Sequence, residues 1–295
     1  MNISFEYYRI FYYVAKYENI TKAAMVLKSS QPNVTRIIHL LEDQLDCRLF
    51  LREPRGLKLT EEGKRLYDHV AIACQHLLDA EAELCWNKNI CSGTIELGVT
   101  ETALHLFLLK HLHGFQQKYS DIKIRIQNNT TPGILKALLN GRLDLAIVTT
   151  PFELNDTFAC EDLMTFREVP AGGSEYRALA GHPISLKEFR FHSIIGLGYG
   201  TASYEYYRKV FMEQKLDYEP AMEVATADLV IPLLQNNLGV GFIPEPLAAP
   251  FFEDQSLVPL SLNVPLPSRD VKMLWDKSLS QSRAAATFCD YLRSL

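Results

Sequence analysis

The sequence predicts a multidomain α+β chain: an N-terminal winged helix-turn-helix, a long linker helix, and a C-terminal α/β domain of two lobes. Three observations predict it. A proline follows a Ser29-Ser30 pair, just inside a helix-like pattern. Apolar residues recur at alternating spacings of four and three from Leu66 to Leu84. Strand-like and helix-like stretches then alternate from Gly93 to the end. The expected boundaries are 1–60, 61–91 and 92–295. The last part divides into a first lobe (about 92–162 and 267–295) and a second (about 163–266).

In order, Phe5, Tyr8, Phe11, Tyr12 and Ala15 recur at helical spacing and predict a first helix with a buried aromatic face. Asn19 punctuates, and Thr21 to Leu27 form a short second helix in which Ala23 and Ala24 permit close packing. Ser29 and Ser30 offer hydroxyls as N-caps. Pro32 then falls in a first helical turn, where its missing N–H costs nothing. A third helix therefore starts here and runs to about Gln44, with Val34, Ile37, Ile38 and Leu41 as its apolar stripe. Gln31, Asn33, Thr35, Arg36 and His39 remain outside. Such side chains read base edges and hold phosphates; on this stretch alone, a solvated polar face explains them equally well.

Next, "CRLFLREPRGLKLTEEGKRL" places a turn at Pro54 and Gly56 before the alternating Leu57, Lys58 and Leu59. That is a small hairpin with Arg52, Arg55 and Lys58 near its tip, and clustered cations beside such a helix suit phosphate and minor-groove contacts. Residues 1–60 hold nine Lys/Arg against six Asp/Glu on a chain of net charge −5, so an anionic partner is expected at this end alone.

Residues 1–60 resemble the winged helix-turn-helix of LysR-type transcriptional regulators. The resemblance rests on Phe11, Ala23-Ala24, Leu27, Ser30-Gln31-Pro32, Val34, Ile37, Leu40 to Glu42, Leu45, Leu49-Phe50, Arg52, Arg55-Gly56, Leu59-Thr60 and Gly63. It implies double-stranded DNA as partner, contacted by Thr21, Ser30, Gln31, Pro32, Asn33, Thr35, Arg36, Arg52, Arg55 and Lys58. Two departures stand out: Lys28 brings a charge to the turn, and Thr35 stands where a Ser is common in the family.

Thr60 is a plausible N-cap for the linker helix, and Glu61 and Glu62 suit its positive end. Leu66, Val70, Ala73, Leu77, Ala80 and Leu84 then form a heptad seam. A helix of about 28 residues, roughly 42 Å long, cannot bury that seam alone. A second copy of the helix or the chain's own C-terminal domain would cover it; the resemblance favours an antiparallel homodimer, with a homotetramer by analogy and RNA polymerase as a further partner. Asn87 to Asn89 and Ser92-Gly93 look like a hinge.

Beyond it, "GTIELGVT", "IKIRIQNN" and "LDLAIVTT" read as strands, with helices from about Ala103 and from Thr131. A second strand–helix set runs from His192 through "AMEVATADLVIPLLQNNLGVGFIPEPL", and "RDVKMLWDK" with the final helix returns to the first lobe. Alternating strands and helices predict an open α/β sheet, whose ligands lie beyond the carboxyl ends of the strands. The arrangement resembles the effector-binding domain of the same family, built like a periplasmic binding protein, with a small-molecule effector between the lobes. Candidate pocket residues at the strand–helix junctions are Thr100, Glu101, Thr102, Asn129, Thr130, Thr131, Thr149, Thr150, Thr201, Ser203 and Thr226. Each threonine alone is a helix cap; together they offer hydroxyls and free amides to one ligand. Helix starts favour an anion, whereas Glu101 would repel one and could receive an amine, so the ligand's charge stays open.

No catalytic residue, metal site or cofactor is expected. GxSxG, P-loop and HExxH patterns are missing, "GLGYG" at 196–200 fails the dinucleotide spacing, and His105, His111 and His113 lack zinc-site spacing. A non-DNA ligand-binding protein or an enzyme on the α/β lobes is the competing reading. The six cysteines (Cys47, Cys74, Cys85, Cys91, Cys160 and Cys289) contain no CxxC pair. With no apolar run of membrane-spanning length and no signal peptide at the N-terminus, a cytoplasmic protein with reduced thiols is expected. A redox pair at Cys85 and Cys91 is conceivable, but inert thiols are the simpler reading, since only Lys88 brings positive charge nearby.

Overall fold

A computed structural model describes residues 3–53, 56–85, 93–279 and 281–295. The chain forms two compact units, Met1–Lys88 and Asn89–Leu295.

In the first unit, α1 (Phe5–Tyr17), α2 (Ile20–Val26) and α3 (Gln31–Leu45) pack together. Helix α1 buries Ile10, Phe11, Tyr12, Val14 and Ala15. Phe5 is not part of that face: it lies in the first turn and is about half exposed. The Asn19 side chain accepts from the Lys22 amide at 2.9 Å and starts α2. Lys28 closes the turn after α2 with φ at +51°, a left-handed conformation that costs any L-residue about 1 kcal/mol. Pro32 lies in the first turn of α3, and Ser30 occupies the N-cap position without donating or accepting a side-chain capping bond. Instead, the neighbouring Ser29 hydroxyl accepts from Asn33 Nδ2 at 3.1 Å. The α3 stripe of Val34, Ile37, Ile38 and Leu41 is buried.

Strands β1 (Phe50–Glu53) and β2 (Gly56–Leu59) pair antiparallel with Phe50 opposite Leu59. Glu42 anchors this wing from the last turn of α3. Its buried carboxylate accepts from the Leu49 amide at 2.8 Å, the Phe50 amide at 3.2 Å and Arg48 Nη1 at 2.8 Å. Thr60 caps α4 (Glu61–Cys85), accepting from the Gly63 amide at 2.9 Å and donating to the Arg48 carbonyl at 2.7 Å. Gly63 lies so close to the wing that an added Cβ would stand 2.2 Å from the Leu49 carbonyl oxygen. Backbone would have to move, so Gly63→Ala should destabilise this unit by about 1–3 kcal/mol in thermal unfolding followed by circular dichroism.

Leu66 and Val70 correct the expected seam: both turn inward onto the core of this unit, where Val70 and Cys74 are buried beside the α1 residues. The exposed part of the stripe begins at Ala73 and Leu77, joined by Leu78. The side chains of Ala80 and Leu84 lie outside the described residues, as do Asn87 to Asn89 and Ser92 of the expected hinge, whereas Gly93 already belongs to the first strand of the second unit.

The second unit holds two five-stranded sheets. The first begins with β3 (Gly93–Val99), followed by α5 (Glu101–Ala103), a π-helical turn (Leu104–Leu108) and α6 (Leu109–Lys118). Strand β4 (Ile122–Asn128), α7 (Thr131–Leu139), β5 (Leu145–Thr149) and β6 (Phe158–Phe166) follow. The chain then enters the second sheet through β7 (Glu168–Gly172). Strand β6 thus keeps to the first sheet past the expected boundary at 162. A 3₁₀ segment (Ser174–Gly181), α8 (Leu186–Phe189), β8 (Ile194–Leu197), α9 (Ala202–Glu213), β9 (Met222–Val224) and α10 (Val230–Gln235) come next. Strand β10 (Val240–Pro244), α11 (Glu245–Glu253) and β11 (Val258–Pro259) complete the second lobe. The chain returns through β12 (Arg269–Asp276) and ends in α12 (Arg283–Arg293).

The sheet orders are β4-β3-β5-β12-β6 and β11-β7-β10-β8-β9. Strands β3, β4 and β5 are parallel, as are β10, β8 and β9, so in each lobe a row of carboxyl ends faces one side. One core joins the first sheet to its helices through residues such as Leu97, Phe115, Ile147, Met273 and Phe288. A separate core holds the second lobe through Phe189, Tyr207, Phe211 and Phe242. Burial pushes the Cys74 and Cys160 thiols up, and Cys289 up to about 11, which leaves them un-ionised and inert. Cys91 and the Cys85 side chain lie outside the described residues. No described helix is long and apolar enough to cross a membrane.

Candidate functional site

Carboxyl ends of parallel strands from both lobes, and the helix starts that follow most of them, converge. Thr100 to Thr102 follow β3, Asn129 to Thr131 follow β4, Thr149 closes β5, and Thr201 and Ser203 lie at the start of α9 after β8. With Thr226 after β9 they line one cleft of about 300 Å³ between the two lobes. Ten of the eleven expected residues face it. Thr150 does not: its hydroxyl accepts from the Asp270 amide at 2.9 Å, and its own amide donates to the Asp270 carbonyl at 3.0 Å. Pairing with β12 turns it away from the cleft.

The hydroxyls divide into two groups. Thr130 and Thr201 are caps, accepting from the Gly133 amide at 3.4 Å and the Tyr204 amide at 3.1 Å. Thr100 makes no capping bond, and its buried Oγ1 has no partner within the protein. A buried hydroxyl without a partner is costly, so Thr100 is a group that a ligand would satisfy.

Behind the cleft lies Arg269, the first residue of β12 and almost wholly buried. Its Nη1 reaches Glu168 at 2.5 Å and Ser203 at 3.1 Å, its Nη2 reaches Thr149 at 3.2 Å, and its Nε donates to the Thr150 carbonyl at 2.7 Å. The guanidinium also lies over the rings of Phe166 and Tyr206. Thr149 and Thr150 belong to the first lobe, and Glu168 and Ser203 to the second, so one side chain fixes both halves of the cleft floor. Burial pushes the Glu168 carboxyl above its usual range, and Arg269 opposes this.

Glu101 stands at the other end. Its carboxyl is buried against Asp228, with which it shares a hydrogen bond, and the amides of Ala227 and Asp228, and one oxygen lies 3.5 Å from His105 Nε2. Burial, and then the facing Asp228 carboxyl, raise its pKa to about 7. Asp228 is held below its usual range, mainly by the Thr226 hydroxyl.

In the first unit, the amino end of α3 presents a continuous polar surface. Thr21 Oγ1 lies 3.4 Å from Gln31 Oε1, Thr35 Oγ1 donates to the Gln31 carbonyl at 3.0 Å, and Arg36 Nη2 donates to Asn33 Oδ1 at 3.1 Å. Ser30, Gln31, Pro32 and Arg36 are exposed. Lys58 lies on β2, whereas Arg55 and the Arg52 side chain lie outside the described residues.

The family model for the LysR substrate binding domain matches residues 91–295, and that for the bacterial regulatory helix-turn-helix protein of the lysR family matches residues 5–64. The chain belongs to the LysR family of transcriptional regulators. Among relatives of this regulator, the HTH-type transcriptional regulator YofA of Bacillus velezensis is 25% identical over 289 residues, covering 97% of this chain and 96% of its own. BudR of Raoultella terrigena is 33% identical over 183 residues, covering 61% of this chain and 60% of its own. The LysR regulator CbnR has the same fold in its crystal structure, with a TM-score of 0.69 and 16% identity over 99% of both chains.

Three charged residues around this LysR-type regulator's cleft, Arg269, Glu168 and Asp228, were not among the expected ones. Arg269 was detectable: alternation along β12 places it on the same buried face as Val271 and Met273, where a charge demands a partner. Asp228 follows a threonine at a helix start, a common place for an acid. Glu168 carries no local signal.

Proposed function

We propose that this regulator binds double-stranded DNA by laying the amino end of α3 in a major groove, with Arg36 and the wing cations on phosphates. A small-molecule effector in the interlobe cleft would modulate it. The cleft supports the second half of this reading: hydroxyls from both lobes converge on it, and Arg269 ties its two walls to one point, so a ligand touching both walls acts on the relation between lobes. The exposed Ala73 and Leu77 of α4 support pairing with a second copy, which sets two heads on successive half-sites. A homotetramer and a contact with RNA polymerase extend the same reading, as does the absence of any enzymatic role.

Fluorescence anisotropy on the DNA fragment upstream of the regulator's own gene, over a salt series, tests the DNA half. Arg36→Ala should weaken binding roughly tenfold, about 1.4 kcal/mol, and lower the salt slope by about one if the contact is to phosphate. Unchanged affinity and slope would remove Arg36 from the interface.

A further inference from the structure

The cleft opens at Glu101, Thr102 and Ala227 into a second cavity of about 390 Å³. Its walls are of a different kind. Ile231 and Pro232 of α10, Ile243 of β10, and Leu247 and Phe251 of α11 make it largely hydrocarbon. Glu101 and Asp228 stand where the two spaces meet, one carboxyl from each lobe. Neither cavity has a lysine or arginine among its described lining residues. The two facing carboxyls share a hydrogen bond, and the Ala227 and Asp228 amides also reach Glu101, so without a lysine or arginine at hand a proton holds the pair together and the arrangement stays electrostatically incomplete. A positive ligand completes it. The apolar walls specify the rest, because a bare metal ion would leave them unfilled. No described group of three His, Cys, Asp or Glu residues could hold one either.

We propose that the effector is an amphipathic amine whose ammonium group lies between Glu101 and Asp228 and whose hydrocarbon group fills the adjoining cavity. This rests on reading the interlobe cleft as the effector site. The ammonium bridges a carboxyl of each lobe, so its binding ties the two together at this point. Any carboxylate on the same molecule would point to the hydroxyl-rich end, toward the helix starts at Thr131 and Ala202 and the unpartnered Thr100 hydroxyl. Hydrophobic amino acids and simple alkyl or aryl amines share the recognised chemistry, and the experiment separates them.

Binding also carries a proton signature. Burial and the facing Asp228 carboxyl raise Glu101 to about 7, so near neutral pH it carries a proton about half the time. The titratable groups facing it are His105 on its own helix and Asp228 on the opposite lobe; α10 and α11 contribute only neutral side chains to this cavity. An ammonium ion requires the carboxylate, so the complex forms with proton release and tightens as pH rises from 6 to 8. A ligand accepting a hydrogen bond from protonated Glu101 would show the opposite trend.

The test is calorimetric titration of the full chain with matched probes: leucine, isoamylamine and 4-methylvalerate, and the aromatic set phenylalanine, phenethylamine and 3-phenylpropionate. Amine-bearing probes should bind, release a proton near pH 7 when buffers of different ionisation enthalpy are compared, and weaken at least tenfold in both Glu101→Gln and Asp228→Asn. Asp228 is exposed, so its conservative variant keeps the fold. An amino acid tighter than its amine places a carboxylate at the hydroxyl end; equal affinity assigns the site to the amine alone. Binding of the acids only, indifference to both substitutions, or no binding by any probe overturns the proposal. Acid binding that is lost in Ser203→Ala would overturn the amine while keeping the cleft; binding indifferent to Ser203, Glu101 and Asp228 alike would remove both.

Discussion

Arg269→Met should cost the effector-binding unit about 3–5 kcal/mol, the expected penalty for removing one partner of a buried ion pair. The reason is what it leaves behind. Glu168 would keep a buried carboxyl with its charged donor gone and the Tyr207 hydroxyl left to it, while Thr149 and Ser203 would each lose a hydrogen bond. The variant should also acquire a pH dependence. Glu168 already lies above the usual carboxylate range, and without Arg269 it rises further. Such a group adds protons on folding. The variant is therefore least destabilised below about pH 4.3, where the carboxyl is neutral in both states, and becomes less stable as pH rises through the raised value. Urea unfolding followed by Trp275 fluorescence in a Trp86→Phe background reads both effects. Adding Glu168→Leu should recover much of the loss, because an apolar pair of similar volume replaces a buried charge pair at little cost. A double variant as unstable as Arg269→Met alone would show that the cost comes from the lost hydroxyl contacts or from packing.

Glu42→Ala should cost the DNA-binding unit about 2–4 kcal/mol, since three donors lose a charged acceptor at once and the Leu49 amide is buried. The consequence for DNA binding is geometric: Glu42 is the tie between α3 and the wing, so groove and phosphate contacts lose their fixed spacing. In the native protein, burial would push the Glu42 carboxyl up. The Leu49 and Phe50 amides and the Arg48 guanidinium more than offset this and hold it below its usual range. Its stabilisation is therefore complete above about pH 4.3 and is lost as pH falls through the lowered value. Hydrogen exchange of peptides covering the wing should show faster exchange in Glu42→Ala at pH 7. The native and variant proteins should converge in stability once pH has fallen below that lowered value. Unchanged wing protection at pH 7 would show that Leu49 and Phe50 in the core hold the wing without the carboxylate.

How much of this could be read in the sequence followed the range of the interaction concerned. Pro32 marks a helix start because its constraint acts on its own backbone. Thr60 and Thr201 are caps for the same reason. The cleft was legible at ten of eleven positions because strand ends and helix starts are local events, and an α/β sheet gathers them on one side. Thr150 was misplaced because its orientation is set by β12, a strand remote in sequence. Leu66 and Val70 show a different limit: a spacing of three and four identifies a stripe but not what covers it, and here the helix's own unit covers the first turns. Phe5 likewise fits a period but, in the first turn of its helix, stays half exposed. The Arg269–Glu168 pair spans 101 residues, and no pattern around Glu168 announces its partner.

The route of the chain between the sheets has a consequence for how such regulators change. Strands β6 and β12 are neighbours in the first sheet, with Phe166 opposite Arg269, and β7 and β11 are neighbours in the second. The chain thus leaves for the second lobe and returns from it at points one strand spacing apart, about 4.8 Å. Topologically the second lobe is an insert between two adjacent strands, and its removal would leave the order of the first sheet unbroken. Half of the cleft, with Asp228 and the apolar walls of the second cavity, is carried on that insert. Recombination at two nearby seams could therefore graft a new chemical preference onto an existing DNA reader while leaving Thr100, Glu101 and the Thr131 helix start as inherited.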